Sequence, residues 1–163
     1  YQNITTLVGQ YGLNTDYIST ELRNYSESKN FYSAYYLASK YLEFSLYVNK
    51  KVRKEIINLS SIYLEEALVL LALDNVEDQE VLKQRAELLM LQKHLVLRRP
   101  RKVIRQLKRM DAETVNNTNK SFVAFLYYVA FMSLDDPENA EIWKSEISLV
   151  DLRKARMLIN LNS

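Results

Sequence analysis

Phe31-Tyr32-Ser33-Ala34-Tyr35-Tyr36-Leu37-Ala38-Ser39-Lys40-Tyr41-Leu42-Glu43-Phe44-Ser45 decides the fold class. Phe31, Ala34, Tyr35, Ala38, Tyr41, Leu42 and Ser45 recur at three- and four-residue spacing. That is the period of one helix face, because a helix turns once every 3.6 residues. The spacing predicts a helix from Asn30 to Tyr47, with Asn49 marking the turn after it.

The same rhythm extends in both directions. Upstream, Ile4, Leu7, Val8 and Tyr11 fit a short helical face ending near Gly12, and Asn14 or Thr15 can cap a helix from Asp16 to about Ser26. Downstream, Val52, Ile56, Leu59, Tyr63, Leu64, Ala67, Leu68 and Leu71 continue the pattern from Lys51 to Leu73. Ser60-Ser61 either interrupts that stretch or lies within one long helix. Asp74 to Asp78 reads as a turn rich in acids, and a helix follows from Gln79 to about Leu97. Pro100 suits a first helical turn, so Arg99-Pro100 starts a helix to about Met110. Residues 111–119 read as a loop, Lys120 to Leu134 as a buried helix, and Asp135-Asp136-Pro137 as a second cap-plus-proline start. Helices to about Ile147 and from about Ser148 complete the chain.

Composition agrees. The chain of 163 residues contains two glycines, two prolines and neither Asn-Gly nor Asp-Gly. Tight β-turns need such residues, whereas helical hairpins do not. The expected fold is all-α, with antiparallel helical hairpins stacked as a solenoid or as a compact helical-repeat domain. No low-complexity linker divides residues 1–163, so they read as a single domain. Tyr1 in place of Met makes the chain read as a fragment of a longer protein.

Chemistry-bearing motifs are scarce. Gly9 and Gly12 cannot build a phosphate-cradling glycine loop, and no Gly-x-Ser-x-Gly elbow occurs. There is no cysteine. The single histidine, His94, has Leu91 three residues before it, so the Glu-x-x-His pattern of bundle metal sites is absent. Glu65-Glu66 point about 100° apart on a helix and cannot act as a pair. Asp135-Asp136 serve more simply as a cap. The expectation is a non-enzymatic protein with no metal, no cofactor and no small-molecule substrate. The longest apolar run, Phe122 to Leu134, spans roughly 20 Å and is too short to cross a bilayer. No signal peptide is visible, and the Asn-x-Ser/Thr triplets at Asn3, Asn24, Asn58, Asn116 and Asn119 are of a kind that arises by chance in an Asn- and Ser-rich chain, several of them on expected helices. An intracellular setting is therefore favoured.

Charge offers one feature above background. Arg98, Arg99, Arg101, Lys102, Arg105, Lys108 and Arg109 crowd into twelve residues. Arg101, Arg105 and Lys108 share a helix face, while Val103, Ile104 and Leu107 point the other way. Two readings stand. Either this is a solvated face pairing with nearby acids, or it contacts something anionic: an acidic protein segment, nucleic acid or a membrane surface. No aromatic residue lies in the stretch, which weakens single-strand recognition.

Phe31-x-x-Ala34-Tyr35-x-x-Ala38, Leu64-x-x-Ala67-Leu68-x-x-Leu71, Pro100-x-x-Val103-Ile104-x-x-Leu107 and Pro137-x-x-Ala140-x-Ile142-Trp143 set small or apolar residues at 34, 67, 103 and 140. Their separations of 33, 36 and 37 resemble the period of tetratricopeptide repeats. Leu22-x-x-Tyr25 followed by Phe31-x-x-Ala34 is similar to that family's first- and second-helix anchors. Leu22, Glu55, Leu91 and Tyr128 stand where the family has Gly or Ala. Another helical repeat or an irregular bundle is the alternative. The resemblance implies a protein-interaction scaffold or adaptor, a subunit of a larger assembly that binds a peptide or helix, with self-association through an exposed apolar face also open. It further implies a groove lined by Arg23, Arg85, Gln92, Phe125 and Val129, with the basic helix on the outer surface.

Overall fold

In the computed structural model, Asn30 and Asn49 end the loops before the first two long helices by the same device. Each side chain accepts a backbone N–H three residues on, from Ser33 and from Val52, both at 3.0 Å. An N-cap of this kind satisfies one of the four amides a helix start leaves unpaired. The structure describes residues 16–74, 77–110, 115 and 117–162. The helical face expected at residues 1–12 lies outside them, as do residues 75 and 76 of the acidic turn and most of the loop expected at 111–119.

All regular structure among the described residues is helical. The helices are α1 (Asp16–Glu27), α2 (Phe31–Phe44), α3 (Lys50–Leu73), α4 (Gln79–Val96), α5 (Pro100–Arg109), α6 (Lys120–Ser133), α7 (Pro137–Lys144) and α8 (Leu149–Asn162). Single 3-10 turns occupy Ser45–Tyr47 and Asn117–Asn119. The expected helix to Tyr47 therefore tightens after Phe44. The expected helix to Ile147 stops at Lys144. The chain divides into two compact units, residues 1–79 and 80–163.

In the first unit, α2 packs along α3 and against α1. Ala34 and Ala38 are fully buried; a side chain no larger than a methyl group lets two helix backbones approach. Ser60 uses that closeness, donating its hydroxyl to the Ala38 carbonyl at 2.6 Å. Ser61 bonds back within its own helix to the Ile57 carbonyl at 3.1 Å. Ser60-Ser61 thus interrupts nothing, and α3 is one helix of 24 residues. It is long and apolar enough, by length and composition, to cross a membrane; its buried positions belong to the packed face of the unit. Tyr41 stacks on Tyr63 at 5.8 Å between ring centroids, and Tyr25 meets Tyr63 edge-on at 5.6 Å. Such pairs contribute about 0.5–1.5 kcal/mol each beyond the area they bury. The Tyr25 hydroxyl donates to Glu66. Arg53 donates to the carbonyls of Ser45 at 2.8 Å and Val48 at 2.9 Å, fixing the turn between α2 and α3.

The second unit is organised around α6, which packs on α5, α7 and α8. Its run Ala124-Phe125-Leu126 and Val129-Ala130 is buried, as the apolar run predicts. Asn119, 1% exposed, ties the start of α6 to α4. Its amide nitrogen donates to the Val81 carbonyl and to Gln84 Oε1, both at 3.1 Å, and its Oδ1 accepts from Arg85 Nε at 3.2 Å. At the other end Asn162 donates to the Leu95 carbonyl at 3.0 Å.

Two turns in this unit share one geometry. Leu97-Arg98-Arg99-Pro100 joins α4 to α5, and Leu134-Asp135-Asp136-Pro137 joins α6 to α7. Arg98 and Asp135 both take left-handed backbone, with φ of 63° and 58°. Arg99 N–H donates to the His94 carbonyl at 2.9 Å, and Asp136 N–H to the Phe131 carbonyl at 2.9 Å. These are the bonds that close a helix C-terminus of the Schellman type. The residues before each proline match as well: Arg99 has φ −123° and ψ 58°, Asp136 φ −118° and ψ 70°.

Candidate functional site

The shared turn sets up the site by a difference. At the start of α7, Asp136 accepts from the Asn139 amide at 3.3 Å and from its side-chain nitrogen at 2.7 Å, so the helix start carries its own anion. At the start of α5 the corresponding residue is Arg99, and no side chain caps the first turn. Cations thus stand where the sister turn has carboxylates.

From there α5 separates its faces as its sequence requires. Val103, Ile104 and Leu107 are buried. Arg98, Arg99, Arg101, Arg105, Lys108 and Arg109 are exposed, and Lys102 is half-buried. None of these seven forms an ion pair with a described residue. The stretch 98–109 contributes seven positive charges and no negative ones to a chain of net +2, leaving the rest of the chain at two minus seven, or −5. Arg98, Arg99, Arg101, Lys102 and Arg105 line one cavity of about 390 Å³, with Pro100 and Leu134 as its apolar wall.

His94 registers this field. It is 9% exposed, and its Nδ1 has no hydrogen-bond partner. Burial, together with the charges of Lys102, Lys93 and Arg99, lowers its pKa to about 4. Burial removes water from the imidazolium, and the three cations oppose a fourth positive charge. His94 is therefore neutral at pH 7.

Of the residues expected to line a groove, Arg23 belongs to the first unit and Arg85, Gln92, Phe125 and Val129 to the second. Arg23 is exposed on α1 in the first unit. Arg85 is half-buried and holds Asn119. Gln92, Phe125 and Val129 are interior, at 3%, 2% and 0% exposure. For Phe125 the cover includes α8, which packs on α6 and sets Lys154 Nζ 5.6 Å from the centre of the Phe125 ring. The face of α6 that a groove would use is spent on the core.

The second unit holds a second cavity, which the sequence pattern does not announce. About 280 Å³ in volume, it is lined by Leu107, Met110, Val115, Val123, Tyr127 and Trp143, with Lys120 and Glu146 as its charged members. Tyr127 stacks on Trp143 at 4.4 Å and on Phe131 at 5.8 Å, each pair within 10° of parallel. Burial raises the Tyr127 phenol above its ordinary pKa. The chain's one tryptophan was the available signal, but its pairing with Tyr127 depends on how α7 folds back on α6. Among the described residues, no group of three or more His, Cys, Asp and Glu is placed to hold a metal ion.

No family model, curated protein or solved structure matches the chain.

Proposed function

We propose that this chain is a non-enzymatic interaction module that docks an acidic segment of a partner protein on the basic surface at residues 98–109. The observation that carries the reading is the set of seven cations without an ion-pair partner among the described residues, five of them around one cavity. Like charges held this close repel one another, and an incoming anion relieves that cost. Side chains serving only as a solvated face would find acids among their neighbours more readily. Nucleic acid is the weaker occupant, because the basic surface lacks aromatic residues on which bases could stack and the remainder of the chain is acidic.

We further propose that the helical hairpins form a tetratricopeptide-like array, as expected of a scaffold or adaptor within a larger assembly. The support is the repeated turn: two helix-to-helix connections with matching left-handed residues, matching closing bonds and proline in the same place. Function by fold analogy alone is weak, so the reading rests on the basic surface rather than on a groove.

Titrating a fluorescently labelled poly-glutamate peptide into the purified chain tests the first reading. Affinity should fall steeply between low and physiological salt, because neutralising charge pairs releases bound ions. The triple variant Arg101→Glu, Arg105→Glu, Lys108→Glu should lose binding. Equal affinity for the triple variant rejects the reading.

A further inference from the structure

The cavity formed by the α4–α5 turn, the start of α5 and Leu134 is built for more charge than a carboxylate brings. Five cations surround it, and four of them are arginines. A guanidinium offers paired N–H donors in a planar fork, matched to oxygens on one phosphorus or one carbon atom. One Glu side chain supplies a single negative charge and two oxygens. A phosphate monoester supplies close to two charges and three terminal oxygens, so it can engage several forks at once. The non-charged wall, Pro100 and Leu134, is available to the carbon atoms that carry such a group. Lys108 and Arg109 lie beyond the cavity, farther along the exposed face of α5, where they can meet acids flanking the phosphate.

We infer that this cavity is a phosphate site whose occupant is a phosphorylated serine or threonine within the acidic partner segment. The inference rests on the function proposed above and adds a condition to it: docking is switched on by phosphorylation of the partner. A nucleic acid spreads its charge along a track, whereas here five of the seven cations line one cavity. A lipid surface calls for exposed apolar residues beside the headgroup site, and Leu134, the apolar member of the wall besides proline, is half-buried.

The test uses the full chain and three fluorescein-labelled peptides of otherwise identical acidic sequence, with phosphoserine, serine or glutamate at the central position. At physiological salt the phosphoserine peptide should bind about tenfold more tightly than the serine peptide, and clearly more tightly than the glutamate one. Free inorganic phosphate at high concentration should erase the preference. Arg98→Gly and Arg105→Gln should each weaken the phosphoserine peptide more than the serine peptide, so that the ratio of the two affinities falls toward one. Arg98→Gly is the decisive variant, because glycine accepts the left-handed backbone at that position and the fold is preserved. Equal binding of all three peptides overturns the phosphate site and leaves the acidic-segment reading standing. Absence of binding to any of them overturns both. Tighter binding to oligouridylate, or to phosphatidylcholine vesicles doped with a phosphoinositide, overturns the assignment of the phosphate to a protein.

Discussion

Arg98 and Asp135, 37 residues apart, occupy the same left-handed backbone position at the ends of α4 and α6. Neither is glycine, the residue that adopts this conformation without steric penalty. Each therefore costs the fold about 1 kcal/mol relative to glycine. Arg98→Gly and Asp135→Gly should each raise stability by about 0.5–1 kcal/mol in urea unfolding. Loss of stability in both would mean that these side chains hold the turns.

Asn119 should be among the least replaceable polar residues. It is buried with three hydrogen bonds to α4, and Asn119→Ala leaves the Val81 carbonyl, Gln84 and Arg85 without that partner. The expected cost is about 2–3 kcal/mol, with accelerated amide exchange at the starts of α4 and α6. A cost below about 0.5 kcal/mol would show the network to be replaceable by water.

His94 predicts a pH dependence with a definite sign. Its folded pKa, about 4, lies below the ordinary 6.5, so the unfolded chain binds the proton more readily. The contribution is present in full above about pH 6.5 and is lost as pH falls toward 4. Its size is of order 1–3 kcal/mol. Comparing urea unfolding of the wild type and His94→Gln at pH 7 and pH 5 isolates it: the wild type should lose more stability over that interval. As the chain's one histidine, its imidazole also titrates as a single proton-NMR signal, which should stay neutral to well below pH 6.

Removing the Tyr127 ring should expose Trp143. The two rings stack at 4.4 Å, so Tyr127→Ala should shift Trp143 emission to the red and cost about 1–3 kcal/mol. An unchanged spectrum would place the indole elsewhere.

Much of the fold was legible where local chemistry decides. Asn30, Asn49, Pro100 and Pro137 mark helix starts that the structure places within a residue of expectation, because capping and the missing proline N–H act over one turn. The apolar and basic sides of α5 were likewise fixed by spacing within a single helix. Features set by tertiary partners were not legible. Ser60 looks like a helix interruption until Ala38 supplies its acceptor across the interface. Phe125 looks like a groove residue until Lys154 of α8 lies over its ring. The left-handed Arg98 sits in a turn without glycine, so no residue type announced it. The cavity needs Leu134, at the C-terminal end of α6, which spacing along α5 could not provide.

Backbone amide chemical shifts followed during titration with an acidic peptide address the central claim most directly. The account predicts that the largest changes fall on residues 98–109 and around Leu134 and grow weaker with added salt. Changes confined to α1–α3 or to the pocket of Tyr127 and Trp143, with 98–109 unmoved, would contradict it.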